Sequence, residues 1–483
     1  MQPRPFRLSD EVLDQLAAGG GGKQAAKPLI SAEQSRRRMT MVVMLELAAK
    51  LRHPHSKAAE HAYGILADAQ RKQPGAMVSA FDRPAVGAWL QATARELIAA
   101  DARHEETPRQ APDEPDAAAP AATPEAASAK LAIAPPEGVR PWTSGPYSPG
   151  PAQLGAIAAV AALKAGLSCR VEVPAPDGVI TLPSLGQIVL PPASAGGHDG
   201  DLVELRVHPD GLVECEGVRL RPNGSELPHW RRIRELRTRA GLVLLLDDLD
   251  PFRWPAETVI DGRLGEDEFR KWEADLSSAW DMLLANHWTI ADETRLMVSV
   301  LTPIKGPEGG LDSASAADRF GTIAMSTPLD GCWLASTFAH EVQHAKLGAV
   351  LDVVHLLHPD SGRYYAPWRP DPRPLSGLLQ GAYAYLGVSG FWRRQRQADQ
   401  DVRAHAEFAR WRRSAYDVTS TLLDSGRLTA TGRRFVTRMR RTLEPWLDEP
   451  VPAEALAMAQ REAEAHRAAW LARNTGADSA LTG

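Results

Sequence analysis

Phe338-Ala339-His340-Glu341-Val342-Gln343-His344-Ala345-Lys346-Leu347-Gly348 contains an H-E-x-x-H core, two histidines four residues apart with a glutamate after the first. On a helix, positions i and i+4 share a face, so His340 and His344 can aim both imidazoles at one metal ion. With 14 His and 60 Asp plus Glu in 483 residues, counting every acid as Glu, chance gives the pattern in at most about 5% of such chains. The flanks argue against chance. Cys332-Trp333-Leu334-Ala335 precede the motif and Leu347-Gly348-Ala349-Val350-Leu351 follow it, apolar on several faces, which predicts a mostly buried helix. Buried histidines and a buried glutamate need partners.

The composition sets the frame around this helix. The length suits two or three domains with a substantial core. Hydrophobic content of 44% and charge of 24% are ordinary for a soluble globular chain. A net charge of −5 gives no case for a nucleic-acid partner. Cys169, Cys215 and Cys332 are odd in number and far apart, so neither a disulfide framework nor a thiolate metal cluster is expected. No apolar signal segment opens the chain, and no apolar run reaches the roughly 18 residues of a membrane span. The expectation is a soluble, cytoplasmic protein with no membrane partner.

The pattern along the chain predicts an α+β fold. Residues 1–102 read as a helical N-terminal region, with a long helix over Ser31–Leu51, more helix at His61–Gln70 and Val86–Ala99, and a flexible break at Gly19–Gly22. Residues 103–150 are a Pro- and Ala-rich linker. Residues 151–262 open on a short helix and turn β-rich, with alternation at Cys169–Val173 and Leu202–Val207 and turns at Pro176-Asp177-Gly178 and Pro209-Asp210-Gly211. Leu242–Leu246 reads as a buried strand. The following Asp247, Asp248 and Asp250 lack the glycine and terminal glutamate of a calcium loop and read as a solvated turn. Residues 263–483 form the mainly helical metal-binding domain, with strands near Val298–Leu301 and Gly321–Ser326 leading into the motif helix.

Two histidines leave a catalytic site incomplete. Zinc hydrolases add a third protein ligand, and non-haem iron oxygenases use three protein ligands with positions left open. A metzincin would place its third histidine inside the motif, but Leu347 stands where the glycine belongs and Val350 where the histidine belongs. His355, His358 and Asp360 are the nearest downstream candidates. Better ones lie in Asp401-Val402-Arg403-Ala404-His405-Ala406-Glu407, where His405 or Glu407 would come from a second helix packed on the first. Being two apart, they do not both face one metal from a regular helix. Between the helices runs Arg363-Tyr364-Tyr365-Ala366-Pro367-Trp368-Arg369-Pro370-Asp371-Pro372-Arg373-Pro374, whose stiff backbone and guanidinium groups suit recognition of a carboxylate.

Several motifs together carry a family resemblance. The runs Ala339–Ala349, Tyr365–Arg369, Asp371–Leu375 and Leu378–Ala384, with Leu8-Ser9-Asp10, Leu13 and Gly432-Arg433-Arg434-Phe435-Val436, resemble the H-E-x-x-H peptide-modification proteins of ribosomal natural-product clusters. The resemblance spans most of the chain and is densest from 339 to 440. It implies an Fe(II)- and α-ketoglutarate-dependent oxygenase that hydroxylates a side-chain β-carbon in a ribosomally synthesised precursor peptide. By the same resemblance His340 and His344 hold iron, His405 is the third ligand with Glu407 as alternative, and Arg373, Arg369 or Tyr365 anchors the cosubstrate. Glu341 then orients a ligand or water. The alternative is a zinc metallopeptidase with Glu341 as general base. A second alternative is a non-catalytic peptide-binding maturation protein.

Overall fold

The computed structural model describes residues 6–106, 150–191, 202–222, 226–307, 311–399 and 401–474. The N-terminal region is helical: α1 (Asp10–Ala17), α2 (Gly22–Lys50), α3 (Ser56–Lys72), α4 (Pro74–Phe81) and α5 (Pro84–Glu106). The middle holds α6 (Leu154–Ala165), β1 (Cys169–Pro174), β2 (Val179–Leu182), β3 (Gly186–Val189), β4 (Leu202–Val207), β5 (Val213–Cys215), β6 (Val218–Leu220), β7 (Trp230–Arg232), β8 (Arg234–Arg237) and β9 (Val243–Leu246). Then come α7 (Glu266–Asn286), α8 (Trp288–Met297), β10 (Val300–Pro303), β11 (Ser313–Ala314) and β12 (Thr322–Met325). The rest is helical: α9 (Gly331–Leu351), α10 (Leu375–Asp399), α11 (Val402–Asp424), α12 (Ala430–Leu443) and α13 (Ala453–Arg473). The fold is α+β, as the patterning predicts.

Three sheets form. Two are antiparallel, in the orders β1-β4-β5-β6 and β2-β3-β7. The third has the order β11-β12-β10-β9-β8, with β9, β10 and β12 parallel and an antiparallel strand at each edge. It takes strands from both sides of the boundary expected at 262. The cause is the buried face of β8 and β9, where Leu236, Leu244 and Leu246 join one core with Leu301, Ile323, α7 and α9. Residues 107–149, most of the expected linker, lie outside the described residues; α5 continues to Glu106.

Packing explains two further departures from the sequence reading. Helix α2 starts at Gly22, well before Ser31 and despite Pro28 within it, because Ala25, Ala26 and Leu29 bury against the C-terminal helices. Gly19–Gly22 is a fixed turn. Gly19 and Gly21 have φ of 81° and 109°, a region that favours glycine, and the Gly19 carbonyl accepts from Gln343 Nε2 at 2.7 Å and Lys346 Nζ at 3.3 Å. No helix among the described residues is long and apolar enough to cross a membrane.

The three aspartates after β9 are buried rather than solvated. Asp248 binds Arg234 and Arg263, while Asp247 accepts from the Leu249 and Asp250 amides and Asp250 from the Phe252 amide. Burial, reinforced by the charge of Asp247, pushes the Asp250 carboxyl up from 3.8 to about 7. A carboxyl that holds its proton more tightly when folded adds stability that is full below 3.8 and is lost as the pH rises through about 7. Asp250→Asn should therefore flatten the fall in stability across that window, measured by urea unfolding at a series of pH values. A variant that falls as steeply as the wild type would refute the assignment.

Candidate metal centre

Helix α9 is built to carry the motif. Asp330 caps it by accepting from the Trp333 amide at 2.9 Å. Leu334, Ala335, Phe338, Ala339 and Val342 join the core beneath the five-stranded sheet, and Leu347, Ala349 and Val350 join a second core with α1, α10, α11 and α12. With both flanks committed to packing, His340 and His344 share the remaining face. Their Nε2 atoms are 3.1 Å apart. Two metal–nitrogen bonds of about 2.0–2.1 Å spanning roughly 95–110° would place the nitrogens about 3.0–3.4 Å apart, so the pair fits one ion.

The surroundings prepare both imidazoles as ligands. His344 Nδ1 lies 3.1 Å from Gln380 Oε1 on α10. With the amide oxygen accepting, the proton sits on Nδ1 and the Nε2 lone pair faces His340. Burial and the neighbouring His344 hold His340 well below the usual imidazole range, so it is neutral and can donate its lone pair. Glu341 is fully buried, accepts from Ser313 Oγ of β11 at 2.7 Å through Oε1, and has no hydrogen-bond partner at Oε2 among the described residues.

An aromatic roof covers the pair. The Tyr385 ring meets His340 edge-on at 5.1 Å and stacks against Trp368 at 4.9 Å and Trp411 at 4.1 Å. Gly381 lets Trp368 settle on α10; a Cβ there would stand 2.3 Å from the indole. Burial pushes the Tyr385 phenol far up and keeps it protonated, with Arg410 and Arg369 opposing and Glu407 and Glu341 reinforcing. The Trp368 loop is pinned by α13: Tyr365 Oη lies 3.0 Å from His466 Nδ1, and Asn474 Nδ2 donates to the Pro370 carbonyl at 3.1 Å.

The other sequence candidates divide. His405 faces away, with Nδ1 3.5 Å from Arg396 Nη1. Arg396 is eleven residues beyond Tyr385 on α10, roughly 16 Å along the axis at about 1.5 Å per residue. Glu407 is nearer, one helical turn from the Trp411 that stacks on Tyr385, but its carboxylate binds Trp411 Nε1 at 2.5 Å and also Arg403. Among the described residues no third His, Cys, Asp or Glu joins the pair to make a metal-binding group. Arg369 and Arg373 share Asp371, each at 3.2 Å. Asp360 pairs with Arg427, and His358 lies on a loop whose amide bonds the Arg427 carbonyl.

Gln380, Tyr385, Trp411, Arg410 and Ser313 were not singled out from the sequence. Gln380 lies in one of the runs that carry the family resemblance; Ser313, 28 residues before Glu341, leaves no sequence signal. The chain matches no protein-family model and no curated protein, so the resemblance rests on the motifs quoted above.

The Gln380 contact gives a direct prediction. Gln380→Leu should weaken Zn(II) or Fe(II) binding by about 10–100-fold, the usual cost of removing a partner that orients a ligand histidine. Competition against a chelator measures it, and unchanged affinity would refute the orienting role.

Proposed function

We propose that the chain is a metal-dependent enzyme acting on a peptide, and that its reaction is hydroxylation of a side-chain β-carbon with Fe(II) and α-ketoglutarate. The observation that carries the metal reading is the convergence of His340 and His344 Nε2 beside the Tyr385 ring. When bound, Fe(II) with α-ketoglutarate supplies the oxidising chemistry that places oxygen on carbon. The family resemblance supports this choice of chemistry.

The residues then divide the work. His340 and His344 hold the metal, and Gln380 fixes the His344 tautomer. Of the two third-ligand candidates, Glu407 is the nearer, bonded to the Trp411 that meets Tyr385, whereas His405 sits against Arg396. Arg369, Arg373 and Tyr365 remain the anchors proposed for a cosubstrate carboxylate; Arg410, between Glu462 and the Trp411 face, is a further candidate. Trp368 and Tyr385 exclude water. Glu341, held by Ser313, positions a ligand or water rather than acting as the central base.

A second reading, zinc-dependent peptide hydrolysis, draws on the buried Glu341 Oε2, which has no partner among the described residues, since a general base needs a free oxygen. One assay separates the two. Metal-free protein is supplied with Fe(II), α-ketoglutarate and the peptide encoded beside its gene, and products are followed by mass. Gain of one oxygen with succinate formation is expected; cleavage with zinc and no need for α-ketoglutarate would overturn hydroxylation. Glu341→Gln should keep part of the rate if the reaction is hydroxylation, whereas loss of at least about 100-fold, the scale of a missing general base, points to hydrolysis.

A further inference from the structure

We infer that the outer edge of β11 is the docking strand for the peptide, which pairs with Ser313 and so lays one of its residues beside Glu341. The inference rests on the reading of a peptide substrate and adds where and in what register it binds. Strand β11 is at one edge of the five-stranded sheet, bonded to β12 alone. Its register pairs Ser313 with Met325 and Ala314 with Ala324. One residue earlier, the Ser326 amide donates to the Asp312 carbonyl at 2.9 Å and the Asp312 amide donates to Ser326 Oγ at 3.0 Å, so Asp312 turns its backbone towards β12. Antiparallel partners alternate between bonded and non-bonded pairs. The N–H and C=O of Ser313 therefore point away from β12, out of the sheet edge.

The side chain of the same residue points elsewhere, donating to Glu341 Oε1 at 2.7 Å. Ser313 thus offers its backbone to an incoming strand and its hydroxyl to the motif glutamate. Alongside runs a small cleft of about 50 Å³, partly open to solvent, walled by Trp333, Leu334 and Thr337 of α9 and by Leu311 and Asp312. Asp312 is exposed and has no ion-pair partner among the described residues. One residue past β11, the buried Ser315 Oγ also lacks a partner. An outward-facing strand edge beside a cleft of mixed polarity, with the exposed Asp312 carboxylate next to it, fits an extended peptide segment that carries a basic side chain.

Binding to the full-length chain, measured calorimetrically without α-ketoglutarate, tests this apart from turnover. The probe is the peptide encoded beside the gene. Ser313→Pro removes the outward N–H at an edge position where proline is tolerated; Ser313→Ala removes the hydroxyl and keeps the N–H. Proline should bind at least about tenfold more weakly than alanine, and Asp312→Lys should weaken a basic peptide while favouring its acidic counterpart. Backbone N-methylation of the peptide should weaken binding at alternate residues only. Equal binding by the proline and alanine variants, or N-methyl effects without a period of two, would overturn the docking strand while leaving the functional reading intact. A peptide that the wild type does not bind would overturn both.

Discussion

Helix α9 buries the carboxylate of Glu341, the amide of Gln343 and the ammonium of Lys346 along with its apolar side chains. Buried polar groups left without partners cost several kcal/mol each, and charges more. The chain meets most of this constraint by bringing a partner from each of several distant segments, leaving Glu341 Oε2 and Gln343 Oε1 without one among the described residues. Ser313 of β11 bonds Glu341, Glu293 of α8 takes Lys346 through both oxygens at 3.0 Å, and the Gly19 carbonyl serves Gln343. The Gly22 amide completes Glu293 at 2.9 Å. The motif helix is thereby fixed against the sheet, α8 and the N-terminal turn together. Its histidine face is left to be met by α10.

The meeting of α9 and α10 depends on small residues at the crossing. A Cβ on Gly387 would stand 2.7 Å from the Ala339 carbonyl, and Gln343 lies as close. This approach sets Gln380 against His344 and Tyr385 against His340. Helix α11 packs in turn on α10 and supplies Trp411, and α13 holds the Trp368 loop through Tyr365 and Pro370. Glu462 of α13 also binds Arg403 and Arg410. The roof over the histidines is therefore assembled from parts far apart in sequence, with its position set by helix packing.

That dependence explains what could be read in advance. The fold class, most elements and the histidine pair follow from periodicity and spacing, which are local. Burial of Asp247, Asp248 and Asp250 was not legible, because three closely spaced acids look solvated until Arg234 and Arg263 are brought beside Asp248. The start of α2 was missed for the same kind of reason: Gly22 and Pro28 are poor helix residues, and burial of Ala25, Ala26 and Leu29 overrides them. His405 looked as suitable as Glu407 from sequence separation. Only the antiparallel packing of α10 and α11 shows that it lies against Arg396, away from the pair.

The central claim is that His340 and His344 hold one metal ion through Nε2. A crystal structure of the metal-loaded chain, with the ion located by its anomalous scattering, tests it most directly. The account predicts an ion bonded to both Nε2 atoms at about 2.0–2.2 Å. An ion bound elsewhere, with the two Nε2 atoms still 3.1 Å apart and nothing between them, would contradict it.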